Sequence, residues 1–144
     1  MRVKLYLVKL MMLVLLPTML FSACSSSSDD ESGESSELQT LIIGTWRFTQ
    51  MESKGEMVDI TTSIMEELIE PTYATFYTDG TYKGKGFFGN GSGTYKVSGN
   101  TIYTYISGSE YLKYIVTSYT KDKAELTIAK TGSSSTIKAV VERQ

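Results

Sequence analysis

Few side chains in this sequence could catalyse a reaction or bind a metal. The chain contains no histidine and a single cysteine, Cys24. Histidine is the commonest general base and metal ligand, and one thiol cannot build a cysteine-rich zinc site or an intramolecular disulfide. The carboxylates of Glu66, Glu67 and Glu70 lie close together in the sequence, and we interpret them as the solvated face of a helix. A Ser–Lys or two-carboxylate enzyme stays possible in principle, but no motif indicates one. We therefore predict a protein that is not an enzyme and that has no metal or cofactor.

A glycine-rich segment, residues 84–89, reads Gly-Lys-Gly-Phe-Phe-Gly and matches the Gly-x-Gly-x-x-Gly pattern of dinucleotide sites. That site needs a strand before the glycines and a helix after them. Here more turn residues and another β-forming segment follow, so we interpret the segment as a hairpin loop. Its adjacent aromatics Phe87 and Phe88 cannot both point inward. They are therefore candidates for the rim of a binding site or for docking a protein partner.

The start of the chain has the features of an export signal. Basic residues precede a short apolar run, Leu10 to Leu16, and the sequence Leu20-Phe21-Ser22-Ala23-Cys24 follows. The run is about half the roughly 20 residues that a membrane-spanning helix requires. The whole segment resembles a bacterial lipoprotein signal, which implies that residues 1–23 are removed and that Cys24 is acylated and anchored in a bilayer. A buried free cysteine is the alternative, but serines and acids follow Cys24.

An acidic, serine-rich segment follows, and we predict that residues 24–37 form the lipidated cysteine and a disordered tether. The segment holds five acids, Asp29, Asp30, Glu31, Glu34 and Glu37. It resembles the surface-export signal of Bacteroidetes lipoproteins, which implies an outer-membrane protein that faces the outside of the cell. A plain spacer, with a periplasmic orientation, is the alternative.

The charge of the rest of the chain is balanced. Of the 16 acids and 14 bases, five acids lie in the tether and three bases in the leader, so 11 of each remain. A nucleic-acid partner would need a basic face, and we therefore expect none. The identity of any protein partner stays open.

From Gly44 onward, β-forming segments alternate with turn signals such as Asp79-Gly80 and Gly99-Asn100. The pattern predicts eight strands, at residues 45–53, 72–78, 81–87, 94–98, 101–107, 110–120, 124–130 and 136–142. Apolar residues at helical spacing, Ile60, Ile64 and Leu68, predict one short helix between strands 1 and 2, over 61–70. The fold class expected for residues 38–144 is all-β, an eight-stranded up-and-down antiparallel barrel, because closure removes exposed strand edges. A two-sheet sandwich is the alternative.

The sequence Gly44-Thr45-Trp46 at the start of the first strand resembles the Gly-x-Trp signature of lipocalins and of small bacterial lipocalin-like lipoproteins. Residues 76–82, 93–102 and 119–127 resemble hairpins of the same bacterial families. The resemblance implies a barrel closed at one end by Trp46, with Arg143 lying across its ring, so that Gly44, Trp46 and Arg143 are structural. The segment 120–123 departs from the corresponding lipocalin loop, which weakens a transfer of function more than one of fold.

The resemblance also implies that the barrel holds a small hydrophobic or amphipathic ligand. The predicted ligand contacts are four inward-facing strand residues and two residues of the helix, which would act as a lid: Phe76, Tyr82, Tyr95 and Ile102, with Ile64 and Leu68. Two alternatives remain. The aromatics can form a packed core without a cavity, and the protein can be a non-catalytic surface interaction or inhibitor protein that docks through Phe87 and Phe88.

Overall fold

The computed structural model describes residues 36–144. The predicted signal peptide (1–23), the predicted lipidation site Cys24 and most of the predicted tether (24–37) lie outside the described residues. The described part contains nine strands: β1 (Gly44–Ser53), β2 (Glu56–Asp59), β3 (Tyr73–Phe76), β4 (Thr81–Lys85), β5 (Gly91–Ser98), β6 (Thr101–Ile106), β7 (Ser109–Tyr119), β8 (Lys123–Lys130) and β9 (Thr136–Arg143). It also contains helix α1 (residues 36–41) and helix α2 (Ser63–Leu68).

The strands form a closed antiparallel barrel. From β3 to β9 each strand pairs with the next in sequence, while β1 pairs with β3 on one side and β9 on the other. Eight strands, all except β2, therefore complete the ring. This confirms the predicted all-β, eight-stranded barrel and excludes the two-sheet sandwich.

Strand β2 was not predicted. It folds back on the second half of β1 as a hairpin, with Gln50 opposite Asp59 and Ser53 opposite Glu56. The turn residues Lys54 and Gly55 both have positive φ, 54° and 84°, which matches the right-handed twist of a two-residue hairpin. This hairpin extends β1 beyond the ring and leads into α2, the helix predicted between strands 1 and 2.

The middle of the barrel is filled by aromatic side chains. The ring centroid of Phe76 lies 5.4 Å from that of Tyr82, 5.1 Å from that of Tyr95 and 6.1 Å from that of Tyr114. Phe48 contacts the same cluster, 6.3 Å from Tyr114. Such edge-on and tilted pairs add to the burial of apolar area, so the cluster forms the centre of the core.

Helix α1 packs against the end of the barrel where β1 begins and β9 ends. Its Leu38, and Ile42 just after it, are buried in the core, and the Ile42 N–H donates to the Leu38 carbonyl over 2.9 Å. The helix includes residues 36 and 37, which the sequence analysis assigns to the tether. Among residues 36–144, no helix has the length and apolar character that a bilayer crossing requires.

Candidate functional site

We call the end of the barrel that α1 covers the closed end. There the Trp46 indole N–H donates to the Ile42 carbonyl over 2.8 Å. The Arg143 guanidinium carbon lies 4.5 Å from the centre of the Trp46 ring. Its Nη1 donates to the Ile43 carbonyl over 2.7 Å, and its Nη2 donates to the Leu41 carbonyl over 2.5 Å. Arg143 thus satisfies carbonyls at the end of α1 that have no partner within the helix.

The third predicted signature residue, Gly44, lies against this arginine. A Cβ at position 44 would lie 2.9 Å from Nη1 of Arg143, and the φ of Gly44 is +125°. Only glycine adopts this conformation readily and leaves the space. The structure therefore brings Gly44, Trp46 and Arg143 together, as the sequence predicted, in a structural arrangement rather than a ligand site.

The interior next to the closed end holds a cavity of only about 30 Å³. Apolar and aromatic side chains line it, among them Leu38, Ile42, Phe76 and Ile102. Such a volume admits about two water molecules at most, whereas ligand pockets are typically about 300–1,000 Å³. The predicted ligand residues Phe76 and Ile102 therefore face a nearly filled core.

The other two strand residues that were predicted to contact ligand, Tyr82 and Tyr95, are also part of this filled core. The Tyr82 and Tyr114 hydroxyls form a hydrogen bond of 2.9 Å, and the Tyr95 hydroxyl donates to the Tyr77 carbonyl over 2.8 Å. Burial raises the pKa of Tyr82 and Tyr95, and it raises the pKa of Tyr114 well above its usual value. All four predicted strand residues are inward-facing, but they fill the barrel instead of lining a cavity.

The predicted inward orientation of Ile64 and Leu68 is wrong. These side chains are 73% and 75% exposed, while Met65 and Ile69 of the same segment pack against the core. The packing of Met65 and Ile69 sets the rotation of the helix, and an ion pair between Arg47 of β1 and Glu66 is compatible with it. The segment carries two apolar stripes, Ile64 with Leu68 and Met65 with Ile69. The second stripe faces the barrel.

We call the opposite end of the barrel the mouth. It is bounded by the β4–β5 loop, residues 86–90, and the β8–β9 loop, residues 131–135. A cavity of about 270 Å³ lies there. Its apolar walls come from Phe88, Leu112, Ile128 and Ile137, and its remaining lining residues are Phe87, Lys130, Ser133 and Ser135. This cavity is about nine times the volume of the interior cavity next to the closed end.

The β4–β5 loop is held in place by several hydrogen bonds. The Phe87 N–H donates to Oγ1 of Thr72 over 2.9 Å, and the Gly86 N–H donates to Oδ1 of Asn90 over 3.0 Å. The Tyr111 hydroxyl donates to the Phe88 carbonyl. These contacts hold the two loop aromatics in an edge-to-face pair, with ring centroids 5.1 Å apart.

The two phenylalanines of this loop differ in role. The Phe88 ring lies 5.7 Å from Phe48 and packs against the core, whereas Phe87 is 52% exposed. As the sequence indicated, only one of the two points inward. Phe88 forms a wall of the cavity, and Phe87 lies at its rim.

The acidic side chains within residues 36–144 do not form a metal-binding group. No group of three or more histidine, cysteine, aspartate or glutamate side chains in this range could hold a metal ion. Asp59 and Asp79 each accept hydrogen bonds from the threonine two residues later, and these bonds lower the pKa of both carboxyls. Both are turn-stabilising contacts.

Comparison with known families agrees with this geometry. Residues 42–128 match the lipocalin-like domain family. The chain belongs to that family. The matched segment begins at Ile42, whose carbonyl accepts the Trp46 indole N–H, and it includes β1 to β7 and most of β8. A comparison with curated proteins finds no match.

The sequence indicated Phe87 and Phe88 as rim candidates, but Leu112, Lys130 and the loop serines at the mouth of this lipocalin-like barrel were missed. Leu112, Ile128 and Lys130 share the inward-facing register of β7 and β8, and Leu112 lies directly opposite Lys130. Strand alternation was the signal that could have found Lys130, because it follows Leu126 and Ile128 at intervals of two. The serine-rich loop that completes the rim gives no comparable signal.

Proposed function

We propose that this chain is a membrane-anchored lipocalin-like protein that binds a small hydrophobic or amphipathic molecule at the mouth of its barrel. The cavity of about 270 Å³ carries the proposal. It has apolar walls and a polar rim, the combination that is typical of small-molecule sites.

The geometry limits the depth of this site. Below the cavity, Phe48 and Tyr114 belong to the filled aromatic cluster, and the interior space next to the closed end is about 30 Å³. A long chain could not thread through the barrel without displacing these rings. We therefore propose a shallow cup that accepts one small apolar group, with the rest of the ligand at the rim or in solvent.

Anchoring through Cys24 is the second part of the proposal, and the sequence supports it. A basic start, a short apolar run and small residues before the cysteine favour acylation. The acidic residues after Cys24 favour an outer-membrane location with the barrel facing outward. Wild-type cells fed radiolabelled palmitate should label this protein, and a Cys24→Ser variant should stay unlabelled. Release of unacylated protein into the medium by wild-type cells would contradict the anchor.

We propose a binding role without catalysis. The absence of histidine from the sequence supports it, together with the absence of a metal-binding group in residues 36–144. The charged residues of that part are placed mainly on the outside, and the polar groups buried in the barrel, tyrosine hydroxyls and Thr104, are engaged in hydrogen bonds. Among the described residues, Lys130 is the one charged residue that lines the mouth cavity.

A rim-blocking variant tests ligand binding at the mouth. N-phenyl-1-naphthylamine, whose fluorescence rises in apolar surroundings, should bind the wild-type protein. Ser135→Trp places a large ring at the rim and should lower the affinity at least about tenfold. Ser98→Trp, at the exposed end of β5 near the closed end, is the matched control and should leave the affinity unchanged. Equal binding by both variants, or no binding by the wild type, would overturn the proposed site.

One observation favours a second function, docking of a protein partner through the mouth loops. Phe87 is 52% exposed beside the cavity, and aromatic side chains often anchor interfaces. Phe88 is unsuited to such a test because its ring packs on Phe48 in the core. Phe87→Ser alone should therefore abolish docking while it preserves folding, and unchanged capture of a partner by this variant would exclude the docking role.

A further inference from the structure

We infer that the mouth selects ligands with an anionic polar end, and that Lys130 binds this anion. The inference rests on the proposed function, because it names the class of molecule that the mouth cavity takes. The ligand would combine a small apolar group with a carboxylate or a similar oxyanion.

The position of Lys130 is unusual for a lysine. Ala124, Leu126 and Ile128 of β8 are buried in the core, and Lys130 continues the same row. Side chains two apart on a strand point to the same face of the sheet, so Lys130 leaves the backbone on the inner side of the barrel. Because it lies at the end of the row, its ammonium stands at the mouth rather than in the core.

The charge of Lys130 is not balanced by the protein. Among residues 36–144, no carboxylate lies within 4 Å of its ammonium, whereas Lys113 lies 3.2 Å from Glu110 and Lys123 lies 3.9 Å from Glu142. The ammonium faces the Tyr111 ring, whose centre is 5.9 Å from Nζ. Lys130 is also the sole charged residue among the described residues that line the cavity. An anion entering the mouth therefore meets a cation that has no competing carboxylate.

The rim offers further polar groups beside this cation. The Ser133 N–H donates to the Lys130 carbonyl over 3.0 Å, and the Ser135 N–H donates to the Ser133 hydroxyl oxygen over 3.1 Å. These bonds hold both serines next to Lys130 at the opening. Hydroxyl groups suit the oxygens of a carboxylate or phosphate, while the apolar floor of Leu112 and Ile128 suits the other end of such a molecule.

The size of the preference for an anionic over an uncharged ligand depends on where the Lys130 ammonium lies, which is at the edge of solvent. Ion pairs there are weak, so the anion should be favoured over an uncharged analogue by about three- to tenfold rather than by orders of magnitude. The preference should shrink as salt is added, because exposed charges are screened.

Three probes with the same eight-carbon tail test the inference on purified full-length protein: octanoate, octanol and octyltrimethylammonium. Binding is followed by NMR through the methyl groups of Leu112 and Ile128. We expect octanoate to bind about three- to tenfold more tightly than octanol, and the cation to bind least tightly. Lys130→Gln should remove these differences, so that the three probes bind with similar affinity.

Lys138→Gln is the matched control, because Lys138 lies on the neighbouring strand β9 but in the outward-facing register. It should bind all three probes like the wild type. Equal affinity of wild-type protein for octanoate and octanol, or a preference that survives Lys130→Gln, would overturn the role of Lys130 and leave the mouth site standing. Failure of all three probes to shift the Leu112 and Ile128 methyl signals would overturn the mouth site, and with it this inference.

Discussion

The two ends of the barrel each place one cation over one aromatic ring, but they use it differently. At the closed end Arg143 lies 4.5 Å from Trp46, and its donors also reach the carbonyls of Leu41, Ile43 and Lys121. At the mouth the Lys130 ammonium lies 5.9 Å from the Tyr111 ring. All three guanidinium nitrogens of Arg143 donate to backbone carbonyls of the protein, whereas the Lys130 ammonium has no carboxylate within 4 Å among residues 36–144.

The interior cavities at the two ends of the barrel also differ in volume. The interior cavity beneath Trp46 and Arg143 is about 30 Å³ and the cavity at the loop rim is about 270 Å³, while a groove of about 550 Å³ between Leu38 and Ser118 lies on the outside of the closed end. A cation over an aromatic ring does not by itself indicate a ligand site. What distinguishes the two ends is whether the donors of the cation are already used.

The largest expected effect is at the closed end. Trp46→Ala removes a buried ring, a hydrogen bond to Ile42 and the surface on which Arg143 lies. The free energy of unfolding should fall by about 3–5 kcal/mol, as for other buried aromatic-to-alanine changes. Urea denaturation followed by circular dichroism measures this. A loss below about 1 kcal/mol, the cost typical of less critical substitutions, would show that the closed end is not the stabilising end.

Arg143→Lys should have the next largest effect. Lysine keeps the charge but cannot reach the Leu41, Ile43 and Lys121 carbonyls together, because only the guanidinium offers a planar fork of donors. Each lost bond involves a charged donor, and we expect a net loss of about 2–3 kcal/mol in the free energy of unfolding. Lys130→Arg at the mouth is the contrasting variant and should change stability little. A similar loss for both variants would remove the distinction between the two cations.

The tyrosine pair between the two ends should give an intermediate effect. Tyr114→Phe leaves the Tyr82 hydroxyl buried without its partner and should cost about 1–2 kcal/mol. Adding Tyr82→Phe should recover part of this cost, because no orphaned hydroxyl then remains. A double-mutant cycle by urea denaturation measures the coupling, and fully additive losses would show that the hydrogen bond contributes nothing.

The same pair should make stability depend on alkaline pH. Burial raises the folded-state pKa of Tyr82 and Tyr114 above that of an unfolded tyrosine, which is about 10. The stability linked to these protonated hydroxyls is therefore complete below about pH 10 and is lost as the pH rises toward the folded-state values. Unfolding curves above that pH should fall more steeply for the wild type than for the Tyr82→Phe, Tyr114→Phe double variant.

The smallest effect should be on the outer side of α2. Ile64→Ser and Leu68→Ser change exposed side chains, so each should alter the free energy of unfolding by less than about 0.5 kcal/mol. Met65→Ala, on the side that packs against the core, should cost about 1–2 kcal/mol because Met65 is only partly buried. A larger loss of stability for Ile64→Ser and Leu68→Ser than for Met65→Ala would support the inward orientation that the sequence predicted for Ile64 and Leu68.

The barrel could be predicted from the sequence because its strands are marked locally. Asp79-Gly80 and Gly99-Asn100 fix turns, and alternation between them fixes which residues face in. Helix α1 could not be predicted, since the contacts that stabilise it include those of Arg143, 100 and 102 positions away from the carbonyls it satisfies. The rotation of α2 also escaped prediction, because the packing of Met65 and Ile69 against the core selects between two apolar stripes.

The candidate site was harder to predict than the fold. Alternation correctly placed Phe76, Tyr82, Tyr95 and Ile102 inside the barrel. It could not reveal that they leave no room, because a cavity is a small difference between the space that the backbone encloses and the volume of all the side chains in it. The location of the free volume at the mouth depends on how two loops meet, and this is decided by contacts such as that of Tyr111 with Phe88.

Ring closure through β1 and β9 also determines the order in which the domain can fold. Strands β3 to β9 can pair step by step as hairpins between sequence neighbours, but the register Trp46–Arg143 joins residues from opposite ends of the domain. Such distant pairing is entropically slow. A chain emerging from a ribosome or a translocation pore can therefore build most of the sheet early, and it completes the barrel only after β9 has emerged.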